Sequence, residues 1–269
     1  MSAYVGPIRR VETAKGHHYV DANKRRVPGV TTITGDGLPK PALINWAGNA
    51  TADYAIDHWA ELGELSPAAR LTKLRGGRYE TRDAAANRGT QVHALADQLI
   101  RGVEVDVPEE LAGHVESYVH FLDEFSPEPA LIEGVVFSHR HGYAGTLDLI
   151  AYFPTLGQWL LVDLKTNRTG IYGETAIQLA GYRYADTHLD EHGVEQPMIQ
   201  VDGCAAVHVR ADGFDLIPVT AGPEQHRDLL YAQQIKRFTD EARDLVGSPI
   251  PPPSRVQRRR MEIVPEETS

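Results

Sequence analysis

The chain reads as an α/β (α+β) protein: a mixed central sheet with a β-hairpin at its middle, flanked by helices and extended by a helical amino-terminal region. Three observations predict this. Apolar residues recur near a 3.6 spacing from Thr31 to about Arg101 and again from Glu109 to Phe125. The period then switches to three short strand-like runs between Ala130 and Lys165, and a further helical stretch separates these from the next strand. At 269 residues and 42% hydrophobic content the chain can bury one substantial core, and no repeat or low-complexity linker divides it, so residues 1–246 read as one domain.

Taken in order, "IRRVET" and "HHYVDA" alternate around Lys15-Gly16 and predict a small hairpin. "KPALINWAGNATADYAIDHWAELG" predicts a helix ending at Gly63, and "DAAANRGTQVHALADQLIRG" predicts another ending at Gly102. Residues 1–80 thus elaborate an αβββαβ core at about 83–220. The helix from Glu109 stops before Pro127 and is followed by the strands "ALIEGVVFS", "YAGTLDLIAYF" and "QWLLVDLK". A helix from about Tyr172 to His188, the strands "IQVDGCAAVHVR" and "GFDLIPVT", and a helix from Pro223 to about Val246 complete the order. Residues 247–269 are rich in proline and charge and predict a flexible tail.

Composition excludes several function classes. No apolar run approaches the ~20 residues that span a bilayer, and the amino terminus lacks a secretory segment, which predicts a cytoplasmic protein without a membrane partner. The single cysteine, Cys204, excludes an internal disulfide, a cysteine zinc site and an iron–sulfur cluster, so any metal is held by oxygen and histidine nitrogen. The net charge of −10 argues against a general nucleic-acid binder. The charge is uneven, however: Arg70, Lys73, Arg75, Arg78, Arg82 and Arg88 face only Glu80 and Asp83 within their stretch, a basic strip compatible with a confined DNA track or with a solvated helix face.

Within "GTLDLIAYFPTLGQWLLVDLKTN", two apolar runs each carry an aspartate near the end away from the turn. If "PTLG" closes a hairpin centred between Thr155 and Leu156, Asp148 and Asp163 are equidistant from the turn and oppose one another. Opposed residues have Cβ atoms about 4.5–5.5 Å apart, so two like charges there destabilise the pairing unless a divalent cation lies between them. Alternation puts Lys165 on the face of Asp163 and turns the Leu164 side chain away, leaving the Leu164 carbonyl within reach of a metal. Hard oxygen ligands at this density suit Mg²⁺ or Mn²⁺, and such a site hydrolyses phosphodiesters, with the lysine positioning water. Gly145 allows a phosphate backbone to approach the strand or marks a bulge. An Asp–Lys ion pair at a sheet edge explains Lys165 and one aspartate, but not the second.

"GTLD", "DLK" and "QLAGY" (Gln178 to Tyr182), in this order after "RGTQVH" (Arg88 to His93), resemble the PD-(D/E)xK nuclease superfamily in its RecB-like, phage-type exonuclease branch. The resemblance covers roughly residues 85 to 210, and "VPGVTTITGDGLPKPALINWA" is similar to the amino-terminal region of phage-encoded members. It implies a restriction-endonuclease-like core whose hairpin carboxylates sit at the centre of the sheet. Carried over residue by residue, it makes Asp148, Asp163 and Lys165 catalytic, and His93, Asp148, Asp163 and the Leu164 carbonyl metal ligands. Gln178 and Tyr182, at i and i+4 on one helix face, become DNA contacts. Glu133 and Thr166 are secondary candidates, and the cysteines of the branch's iron–sulfur members are absent.

The expected activity is Mg²⁺- or Mn²⁺-dependent hydrolysis of DNA, single- or double-stranded, by an exonuclease in recombination, repair or phage DNA processing. A structure-specific or restriction-type endonuclease is the alternative, and a catalytically silent DNA-binding module the third reading. The expected partners are DNA and, beside it, a single-strand annealing or other recombination protein. Arg75, Arg78 and Arg82, with Arg88 opening the turn that delivers His93, are the expected DNA track; the alternative track lies near Lys40, Arg168 and Arg210.

Overall fold

The change of period at the end of the Glu109–Phe125 stretch is where the main sheet begins. A computed structural model of the protein describes residues 4–13, 16–167 and 170–251, apart from the side chains at 41, 42, 78 and 80–85. Lys15, Arg168 and most of the expected tail lie outside these residues.

Strands β1 (Arg9–Thr13), β2 (Gly16–Val20) and β3 (Arg26–Val27) form a small antiparallel sheet. Helices α1 (Val30–Gly37), α2 (Pro41–Asp57), α3 (Trp59–Glu64) and α4 (Pro67–Ile100) follow. The stretch expected to be one helix ending at Gly63 is broken at His58, which ends α2 and leads into α3. The opposite holds for α4: the helix read over 83–102, Arg88–His93 included, is the carboxy-terminal part of one unbroken helix of 34 residues that starts at Pro67. Pro67 sits in the first turn and the Ser66 hydroxyl accepts from Ala69 N, two ordinary helix-start devices.

After a single 3-10 turn at Glu109–Leu111 come α5 (Ala112–Phe125), ended by Ser126 in the left-handed region, and strands β4 (Glu128–Ser138), β5 (Tyr143–Phe153) and β6 (Gln158–Lys165). Helix α6 spans Glu174–Arg183, shorter than expected, because His188 belongs to a strand, β7 (Thr187–Leu189), that pairs with β8 (Glu195–Pro197). Strands β9 (Gly203–Arg210) and β10 (Gly213–Pro218), helix α7 (Pro223–Glu241), which ends short of the expected Val246, and a 3-10 turn at Ala242–Leu245 complete the order. The main sheet is seven-stranded and mixed, β10-β9-β6-β5-β4-β7-β8, with β6 and β9 parallel. Among the described residues no helix is long and apolar enough to cross a membrane.

Two apolar layers sandwich the sheet. Tyr118, Phe121, Leu149, Phe153, Val162, Leu164 and Val207 pack with α4 and α5. Val30, Ile33, Leu147, Ile150, Leu161, Leu179 and Leu229 pack on the side of α1, α6 and α7. The small sheet covers a third cluster, Ile8, Tyr19, Val27, Phe137 and Ala144.

The β5–β6 hairpin has the register read from "PTLG": Phe153 pairs with Gln158 and the ladder runs to Leu149 opposite Val162. There it stops, one step short of the two aspartates. Beyond that point β4 still covers one edge of β5, while the edge that β6 leaves is taken by the "VPG" segment: Ala144 N donates to Pro28 O at 3.0 Å and Gly29 bridges Ala144. The hairpin is thus a fork held open by residues from the start of the chain.

Gly145 lies in this fork, and its role differs from the expected one. A Cβ there would sit 2.4 Å from Cε1 of Tyr182 and 3.3 Å from Cγ2 of Val30, so the space belongs to a buried tyrosine ring and not to a phosphate. Gly145→Ala is therefore expected to destabilise by about 1–3 kcal/mol through overpacking, and Tyr182→Leu in the same chain to recover part of the loss. Urea denaturation of the two single variants and the double variant measures the coupling, and additive effects would refute the contact.

Candidate metal centre

Three adjacent strands bring Glu133, Asp148 and Asp163 to one level of the sheet. Glu133 and Asp148 lie between the pairs Ile132–Leu149 and Gly134–Leu147, and Asp148 and Asp163 lie one step beyond Leu149–Val162. At that level period-two alternation breaks on two strands together. On β5, Leu147 and Ile150 join the same core cluster although three residues apart. On β4, a Cβ on Gly134 would lie 2.4 Å from Cγ of Leu131, again three residues away. Glu133 sits at the break with φ of +50°, a left-handed conformation that costs a non-glycine residue about 1–2 kcal/mol. Strain of this kind persists only where surrounding structure enforces it, and it concentrates at functional sites.

Asp148 Oδ2 accepts a 2.7 Å hydrogen bond from Leu164 N, which the parting of the strands has left without a ladder partner, and its Oδ1 lies 3.7 Å from His93 Nδ1. His93 comes from the carboxy-terminal third of α4. One ligand atom from each of His93, Glu133 and Asp148 lies within 4.8 Å of the other two. The set expected from sequence was His93, Asp148, Asp163 and Leu164; the geometry adds Glu133 to its centre.

Asp163 is more enclosed, and its oxygens face other groups. Its Oδ2 lies 2.6 Å from Lys165 Nζ, an ion pair without good hydrogen-bond geometry, and its Oδ1 accepts from Gln178 Nε2 at 2.9 Å. Gln178 Oε1 in turn accepts from Lys165 Nζ at 3.3 Å, and Gln178 Nε2 also donates to the Tyr182 hydroxyl at 3.2 Å. The burial of Tyr182 corrects its expected role as a DNA contact. Gln178 clamps Asp163 to Lys165, and Tyr182, 2% exposed, is a core residue beneath the site.

Burial and mutual repulsion shape the electrostatics. Burial first, then the charge of Asp163, pushes Asp148 up to about 7. Glu133 is raised by burial and then by Asp148. His93 is lowered by burial, against the carboxylates that raise it, so at neutral pH its imidazole offers a lone pair. Carboxylates that resist ionising side by side, a neutral imidazole and a buried Asp163 Oδ2 without a well-formed hydrogen bond are a donor set that a hard divalent cation satisfies.

The remaining sequence candidates have other settings. The Thr166 hydroxyl oxygen lies 3.4 Å from where a Cβ on Gly89 of α4 would stand. Lys40 is 3.9 Å from Glu174. Arg75 and Arg88 are exposed on α4, while the side chains of Arg78 and Arg82 lie outside the described residues. Two members of the basic strip belong to structure: Arg70 donates to the Leu62, Gly63 and Leu65 carbonyls at the end of α3, and Lys73 pairs with Glu61. Arg210 is held by Asp215 at 2.6 Å. Sequence reasoning missed Arg10, whose guanidinium lies 3.7 Å from Glu133, because nothing in "IRRVET" signals that β1 reaches β4.

The strain and the charges can each be measured. Glu133→Gly is expected to be more stable than Glu133→Ala by about 1 kcal/mol in urea denaturation, since only glycine relieves the left-handed φ; equal stabilities would contradict the backbone conformation. For Asp148 the folded state raises the pKa, so the neutral form is favoured and stability is lost as pH rises from about 4 through about 7. In EDTA, Asp148→Asn should accordingly melt above the parent at pH 8, with the gap narrowing at pH 5. Added Mn²⁺ should raise the parent's Tm and leave the variant's unmoved, and a parent indifferent to Mn²⁺ would rule out the centre.

No family model matches the chain, and no curated protein matches it. A solved structure described as "Crystal structure of SSO0001" is similar over 53% of this chain and 64% of that one, at 15% identity and a TM-score of 0.28. The chain thus spans less than two thirds of that protein's length, and a likeness this slight carries no argument about fold or function.

Proposed function

We propose that the protein is a metal-dependent deoxyribonuclease of the PD-(D/E)xK type with a restriction-endonuclease-like core, acting as an exonuclease in DNA recombination, repair or phage DNA processing. One observation carries this reading: Glu133, Asp148 and Asp163 stand at one level of three adjacent strands, with His93 on one side and Lys165 clamped to Asp163 on the other. A structural ion pair accounts for Lys165 and Asp163. It does not account for two further carboxylates and a histidine at the same level, one of them on a strained backbone.

His93, Glu133, Asp148 and the Leu164 carbonyl would hold Mg²⁺ or Mn²⁺, with Asp163 completing the set. When bound, the ion polarises the scissile phosphate and acidifies water. The chain's own groups do the positioning. Leu164 N fixes the Asp148 carboxylate, and Gln178 holds both Asp163 and Lys165 so that Nζ stands at a set place beside the carboxylates. Lys165 Nζ then orients the attacking water and balances charge building on the phosphate. Burial of Asp163 and Tyr182 keeps bulk water from competing on the inner side.

The parent is expected to degrade end-labelled linear DNA with Mn²⁺, to leave covalently closed circles intact and to stop in EDTA. Nicking of the circles would replace the exonuclease reading by an endonuclease, and full activity without metal would remove the mechanism. Lys165→Ala should lower the rate by at least ~10²-fold while calorimetry shows Mn²⁺ binding retained, whereas Asp163→Asn should weaken both. Parent-like metal binding and turnover in Asp163→Asn would reduce that residue to a structural partner.

A further inference from the structure

A groove of about 890 Å³ is bounded by the small sheet, the first turn of α1, the β4–β5 turn and α7, lined by Tyr19, Arg26, Thr32, Arg140, Gln233 and Lys236 among others. Its charge is opposite to that of the chain. Arg26, Arg140, Lys236 and Arg237 line it against one carboxylate, Asp240, in a protein of net charge −10. Lys236 is engaged by Asp240 at 2.8 Å and Asp36 at 3.5 Å. Arg26 and Arg140 are exposed and have no carboxylate within ion-pair distance among the described residues, which leaves two guanidiniums facing the groove's solvent.

One wall of the groove is tied to β5 near the metal centre. The Tyr19 hydroxyl hydrogen-bonds Thr146 Oγ1 at 2.8 Å, two positions before Asp148 on β5, and His17 Nε2 lies 3.1 Å from the same hydroxyl. Arg10, on the neighbouring strand, faces Glu133. Another wall is the "VPGVTT" segment. Gly29 has Tyr19 Cε2 only 3.1 Å from where a Cβ would stand, and α1 begins there with no acidic residue in its first turn and with Thr31 and Thr32 exposed. Two threonines at a helix start and two guanidiniums therefore border one space, a combination that favours phosphate.

We infer that this groove holds the phosphate backbone of a single nucleic-acid strand, gripped by Arg26 and Arg140; only the passage of that strand to the metal rests on the proposed nuclease activity. The volume is near the upper end of ordinary ligand pockets, enough for a few nucleotides and too small for a duplex. Exposed His17 and half-buried His18 at the rim supply ring faces on which bases stack without sequence preference. This track is distinct from the basic strip on α4.

The test is fluorescence anisotropy of a labelled short oligothymidylate with the full chain in EDTA, so that binding is read without turnover. Arg26→Ala/Arg140→Ala is expected to weaken binding at least ~10-fold at low salt and to reduce the slope of log affinity against log salt by ~0.7 for each phosphate no longer neutralised. Arg26→Lys/Arg140→Lys should keep most of the slope, and calorimetric Mn²⁺ affinity should match the parent's in both variants, which shows the fold intact. Unchanged affinity and slope in the alanine variant would overturn the assignment. So would thymidine monophosphate competing as tightly as the strand, or a duplex of equal length binding as tightly. DNA turnover with unaltered binding in the alanine variant removes the groove and leaves the nuclease; binding abolished in the variant, with a parent that cuts no DNA, removes the nuclease and leaves the groove.

Discussion

The hydrogen bond from Leu164 N to Asp148 is the contact on which the rest of the centre depends. A sheet satisfies its amides by pairing strands, and carboxylates inside a sheet lose water without gaining donors. Here the two problems answer each other. The ladder between β5 and β6 ends at Leu149–Val162, the next amide on β6 is left over, and the carboxylate that would have been stranded accepts it. Replacing that carboxylate by an apolar group would strand the amide instead. The fork and the charge inside it are therefore one feature, and neither is stable in this form without the other.

Asp163 is served differently. A glutamine on α6 donates to one oxygen while a lysine two residues along the same strand faces the other. Gln178 uses its carbonyl on Lys165 and its amide on Asp163 and Tyr182, so one side chain sets the distance between an acid and a base. Tyr182 transmits the position of α6 to the strand through the space left by Gly145. A carboxylate, an amide, a phenol and a missing methyl group thus form one packed column from the site into the core.

Much of this was legible in the sequence, for identifiable reasons. The turn "PTLG" fixed the hairpin midpoint, and period two then dictated which residues lie opposite, so the register followed from counting. Lys165 and Leu164 fall on opposite sides for the same reason. What was not legible comes from contacts between distant elements. The left-handed turn of Glu133 has no local signal beyond the glycine after it. Gln178 and Tyr182 share a helix face, but whether that face looks outward or inward depends on what packs above it. Glycine stops helices only on average, and α4 runs on through Gly76 and Gly77, ahead of the stretch read as helix, because their neighbours continue it. Arg70 read as free charge until α3 supplied the carbonyls that bind it.

The Pro28–Gly29 segment has a consequence of another kind. At Ala144, β5 is a strand in the middle of the sheet whose edge is closed by a stretch from early in the chain. Before that stretch arrives, the edge presents unpaired amides and carbonyls beside an apolar surface, the arrangement through which strands of separate molecules add to one another. A chain truncated by its first thirty residues would carry this open seam, and its tendency to add strands from another molecule would rise accordingly.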